Sequence, residues 1–140
     1  HTLMIPDGSS GSAATLPFVF ISGDIRYEPG FDSLGAGATV YVAALKYRPD
    51  TDVTATDLVN NAYDWDVFAG ADLTADDLEY SLIAPANTII YLWAYLDEDG
   101  DGTLNEEGDA VGSDGTESSG RIATGSSSHT DVLIWLATVQ

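Results

Sequence analysis

The segment Asp97-Glu98-Asp99-Gly100-Asp101-Gly102-Thr103-Leu104 places carboxylates at alternate positions and glycines where a tight loop needs positive φ. That pattern suits a hard divalent cation, which takes six to eight oxygen ligands at about 2.3–2.6 Å. Asp97, Asp99 and Asp101 are the candidate side-chain ligands, the Thr103 carbonyl adds a backbone oxygen, and Glu107 or Asp109 closes the set. Acids crowd the stretch from Asp97 to Glu117 with no base among them, so the charge repels itself unless a cation neutralises it. The expected cofactor is Ca²⁺.

The elements around the loop separate it from an EF-hand. The twelfth position from Asp97 is Gly108 where a bidentate Glu belongs, with Glu107 before it and Asp109 after. The preceding run Ile89-Ile90-Tyr91-Leu92-Trp93-Ala94-Tyr95-Leu96 is β-branched and aromatic, which predicts a strand, not an incoming helix. A loop hung from a strand end predicts a structural site in place of a helix-opening sensor.

Most of the chain reads as strand. Candidates are Phe18–Tyr27, Thr39–Tyr47, Trp65–Ala69, Leu78–Ile83, Asn87–Leu96, Gly120–Ala123 and Thr130–Val139, parted by turn clusters such as Glu28-Pro29-Gly30 and Arg48-Pro49-Asp50. Asp52–Asn61, with Thr56 as a cap, and Asp72–Glu79 compete as short helical turns. The expected fold is all-β: a seven-stranded antiparallel Greek-key sandwich over residues 17–140, preceded by an extended segment and linker over 1–16. Several strands are apolar on both faces. Ile90, Leu92, Ala94 and Leu96 alternate with Ile89, Tyr91, Trp93 and Tyr95, so the second face needs a cover, from Ser9–Leu16, from Asp50–Tyr63 or from another chain.

The pattern Phe20-Ile21-Ser22-Gly23-Asp24-Ile25, then Ala38–Leu45, Tyr80-Ser81-Leu82, Pro85, Tyr91–Asp97 and the Gly-Asp-Gly loop, resembles the transthyretin-like, or carboxypeptidase-regulatory-like, β-sandwich domains of secreted bacterial proteins. The resemblance spans Phe18 to the C-terminus. It implies that Asp97, Asp99 and Asp101 match the family's loop acids, with Asn105 at a later acid. One inserted residue lets Gly108-Asp109 stand for the family's closing Gly-Glu, with Glu107 as the rival. The family implies accessory, adhesive or structural roles, not one activity.

Composition bounds the partners. A net charge of −19, from 23 acids and four bases, opposes nucleic acid and anionic membrane surfaces and fits a medium rich in salt or divalent cations. No run of about 18 apolar residues offers a membrane span. Cysteine is absent. A calcium loop predicts an extracellular or cell-surface setting, where that ion is abundant. No nucleophile elbow, phosphate loop or Ser-His-Asp order is present, so the expectation is a non-enzyme. A copper site from His1 and His129 would need preorganised flanks, and both lie beside flexible sequence.

The apolar segment Leu3-Met4-Ile5 precedes the linker Gly8–Thr15, which reaches at most about 28 Å. Such a segment can add to the sheet edge of an identical subunit, and repeated head to tail that contact makes a filament. The expected role is therefore a secreted, calcium-stabilised structural subunit assembled by donor-strand exchange. The alternative is an adhesive or carbohydrate-binding module using sheet-face aromatics, with a glycan as ligand.

Overall fold

A computed structural model describes residues 17–49, 53–73, 77–104, 109–113 and 120–138. Its strands are β1 (Phe18–Tyr27), β2 (Thr39–Leu45), β3 (Val53–Thr54), β4 (Ala62–Ala69), β5 (Asp77–Pro85), β6 (Ile89–Asp97), β7 (Thr103–Leu104), β8 (Ala110–Ser113), β9 (Arg121–Ala123) and β10 (Ile134–Thr138). One α-helix, α1, covers Ala55–Asn61, and single 3-10 turns lie at Phe31–Ser33 and Gly70–Asp72. The protein is all-β in character, as its sequence predicts.

The main sheet runs in the order β4–β2–β6–β8–β10–β1–β5, and β9 joins β6 beyond the end of β8. Its end strands β4 and β5 come back into contact, so the sheet curls into a nearly closed barrel. Strand count and pairing differ from the seven-strand expectation. β3, β7 and β8 are too short, or too rich in glycine and small residues, to carry a period-two signal. The pairing also includes a parallel ladder, β1 with β10, in which Ile25 lies opposite Ile134 and Tyr27 opposite Leu136.

Two cores follow from strands that are apolar on both faces. Inside the barrel, Ile21, Ile25, Val40, Val42, Leu82, Ile90, Leu92, Leu96 and Ile134 are buried together. On the outer face of β2 and β6, Ala43, Leu45 and Tyr95 are buried beneath Val53, Leu58 and Leu104. The cover is thus α1 with the β3–β7 ribbon, contributed largely by the segment Asp50–Tyr63. Burying a side chain such as Leu58 contributes about 1.5–3 kcal/mol.

The cap of α1 is Thr54, two residues before the Thr56 that the sequence suggests. Thr54 accepts from the Asp57 N–H (3.1 Å), and the Asp57 carboxylate accepts from the Thr54 N–H (3.2 Å), a reciprocal capping box. Only Thr54 stands three residues before an acid that can reach back. Near the C-terminus the predicted strand from Thr130 begins regularly only at Ile134. Before it, His129 and Val132 donate to the Phe20 and Ser22 carbonyls as an irregular strip along β1, and Asp131 has φ +59°. Gly23 permits that approach: a Cβ there would lie 2.0 Å from the Val132 carbonyl oxygen. Leu3, Met4, Ile5 and the linker lie outside the described residues, as do Asn105 and Glu107.

Candidate metal centre

β6 delivers Asp97 to the rim of the barrel, paired opposite Thr39 and only 1% exposed. The chain then turns sharply. Asp97 Oδ1 accepts from the Gly100 N–H (3.0 Å) and Oδ2 from the Gly102 N–H (2.8 Å), so one carboxylate organises the loop from within. Gly100 has φ +74°, and a Cβ there would sit 2.3 Å from the Gly37 carbonyl oxygen, which rules out any side chain at that position. Asp99 and Asp101 each accept an N–H two residues on, from Asp101 (3.2 Å) and Thr103 (2.9 Å), the short local turn that Asp favours.

Asp109 arrives from the other side of the loop, immediately before β8, and is also 1% exposed. Its Oδ1 accepts from the Glu98 N–H at 2.8 Å. Ligand oxygens of Asp97, Asp99 and Asp109 all lie within 4.8 Å of one another, close enough to hold one metal ion. Ligands on opposite sides of a cation bound at about 2.3–2.6 Å are separated by about that distance. Asp101 stands outside this group, with its carboxylate turned to the Thr103 N–H. Glu107 lies outside the described residues, and Asp109 is the later acid seen beside Asp97 and Asp99.

The electrostatics are those of a site short of positive charge. Burial pushes the Asp97 carboxyl above its ordinary value, the Asp99 carboxyl hydrogen-bonded to it and the Asp109 charge push the same way, and the Gly102 and Gly100 N–H groups pull it back. No basic side chain contributes to that balance. Among the four bases, Arg26 lies over the Trp135 ring and Lys46 over Tyr63. The Asp97 charge is also felt at Tyr41, whose hydroxyl is pushed up first by burial and then by that carboxylate.

The centre is wired to the helix lid. The Ala55 N–H at the start of α1 donates to the Gly102 carbonyl at 2.9 Å, and Thr54 pairs with Thr103 in the β3–β7 ribbon. Nothing in the sequence spacing ties Gly37 or Ala55 to this loop; both contacts arise from the fold. Of the two histidines, His1 is outside the described residues, and a ring nitrogen of His129 meets the Thr124 carbonyl at 2.8 Å. Among the described residues, then, the side chains that meet at the centre are carboxylates. Compared with known proteins, the chain matches no family model, no curated protein and no solved structure.

Proposed function

We propose that this chain is an extracellular, calcium-stabilised structural subunit without enzymatic activity, polymerising with identical subunits by donating Leu3, Met4 and Ile5 as a strand. The observation that carries the reading is the meeting of two buried carboxylates, Asp97 and Asp109, with Asp99 and no basic partner among the groups around Asp97. Buried charge of one sign is costly unless neutralised. An all-oxygen donor set on an adaptable loop suits calcium better than zinc, which prefers nitrogen and sulfur, or magnesium, which retains several waters. The resemblance to transthyretin-like sandwich domains supports a structural or accessory role for the same loop.

Strand donation is supported by the distribution of charge. Copies that each carry −19 repel one another, and the segment His1–Pro6 is free of acids in a chain with 23 of them. An adhesive, glycan-directed role is the second reading, favoured by Tyr63 and Trp65, which stand exposed two residues apart on one face of β4. Two measurements decide. Melting of metal-free protein should rise steeply on adding calcium, since a ligand selective for the native state adds roughly 4 kcal/mol at a thousandfold excess over Kd. An unchanged melt would remove the calcium site. Negative-stain images of calcium-loaded protein should show filaments; a monomer that binds glycans would establish the second reading instead.

A further inference from the structure

The barrel fails to close at one place, between β4 and β5. These strands end the sheet path and touch, yet no ladder joins them. A side chain reaches across the gap: the Ile83 N–H on β5 donates to Asp64 Oδ2 on β4 at 2.9 Å. The same residue takes the Trp65 N–H on Oδ1 (2.9 Å), and Asp66 takes the Val67 N–H (2.9 Å). Carboxylates therefore occupy backbone donors where the carbonyls of an added strand would bind.

The rims of the gap are apolar. Ile83 and Trp65 are 45% and 43% exposed, and Phe20, opposite Ile83 in the β1–β5 ladder, is 46% exposed. Beneath them Leu82 and Ala84 are buried. A strand set into this gap would place alternate side chains on the buried floor and between the exposed rims, as β-augmentation requires.

We propose that this seam is the acceptor for Leu3-Met4-Ile5 of a second copy, and that Asp64 is a placeholder which the donated strand displaces. The proposal rests on the strand-donation reading above and says where the strand goes. Its occupant follows from position and charge. β1 begins at Phe18 opposite Pro85, two residues along β5 from Ile83, so the leading segment of each copy departs beside its own seam. The linker's reach of about 28 Å then confines the contact to the seam of an adjoining copy. Asp64 and Asp66 would repel any acid-bearing segment, whereas His1–Pro6 carries none.

The native chain lacks cysteine, so single cysteines can report the contact. Full-length Met4→Cys protein is mixed with Ile83→Cys protein in calcium under mild oxidation, with Trp135→Cys as an equally exposed control on β10. We expect filaments and an intermolecular 4–83 disulfide identified by mass spectrometry, in several-fold excess over any 4–135 link. Asp64→Ala in the acceptor, its fold checked by melting, should raise the yield of that link. Filaments with 4–135 links as frequent as 4–83 overturn the seam while leaving strand donation intact. Absence of filaments overturns both. A 4–83 link formed within single chains of the Met4→Cys, Ile83→Cys double variant, which stays monomeric, overturns the second copy as occupant. A lower 4–83 yield in folded Asp64→Ala protein overturns the placeholder role.

Discussion

Asp97 and Asp99 hold the same kind of group in different circumstances, and substitution separates them. Asp99 is exposed, and its Oδ1 takes the Asp101 N–H, which an Asn oxygen also accepts, while its carboxyl also pushes the Asp97 carboxyl up. Asp99→Asn should therefore cost the metal-free melt nothing and remove most of the calcium-induced shift. Asp97 takes two N–H groups on its two oxygens, so Asp97→Asn puts an amide N–H₂ against a donor. Its metal-free stability should fall by about 1–3 kcal/mol in denaturant titrations, before calcium is added. Acidity gives a second residue-scale test. In the metal-free fold Asp97 titrates above its ordinary 3.8, chiefly through burial. Its contribution is then fully present below the unfolded value and is lost as pH rises through the folded one. Bound calcium would reverse the sign, because coordinating carboxylates must be ionised and the ion leaves as pH falls. The gap between calcium-loaded and dialysed, metal-free melting temperatures should widen upward from about pH 4; a gap independent of pH would refute carboxylate coordination.

At the scale of elements, the helix lid and the loop share one hinge. Thr54 caps α1, pairs with Thr103 and adjoins Ala55, whose N–H reaches the Gly102 carbonyl. Removing calcium should loosen α1 and expose the Leu45–Tyr95 face, read as faster hydrogen exchange in residues 55–61 while β1–β5 amides stay protected. Thr54→Ala should cost about 1 kcal/mol and reproduce that local loosening in the presence of calcium. Protection of α1 that ignores both changes would uncouple the elements. Much of this was legible beforehand. β1 falls on the residues its alternation predicts, and the two-sided apolarity of Ile89–Leu96 announces the need for a lid. The acidic loop is legible because local spacing alone builds it. What stays hidden is non-local or short: two-residue strands have no period, the Gly37–Gly100 approach joins distant turns, and the meeting of Asp109 with Asp97 and Asp99 depends on where β8 begins. The strand expected at Trp65–Ala69 begins earlier, at Ala62, and within it the Asp64 and Asp66 side chains accept from N–H groups along β4.

For the whole molecule, charge is the dominant variable. At −19 the native state repels itself, and raising salt shortens the Debye length from about 10 Å at 0.1 M to about 3 Å at 1 M. Sodium chloride should therefore raise the metal-free melting temperature of the native chain and of Asp99→Asn alike, whereas millimolar calcium should act on the native chain alone. Equal responses of the two proteins to calcium would make the ion a mere screen. The parallel contact between β1 and β10 bears on a different matter, the order of events in synthesis. Ile25 must wait for Ile134, nearly the full length of the chain, so the barrel wall around β1 stays incomplete until the last strand exists. Closing so long a loop gains nothing until its ends meet, which makes folding late and slow, in the millisecond-to-second range of non-local β proteins. A nascent chain therefore cannot complete this wall of the barrel before β10 has emerged. Deleting residues 129–140 should abolish the cooperative melt altogether, even in saturating calcium.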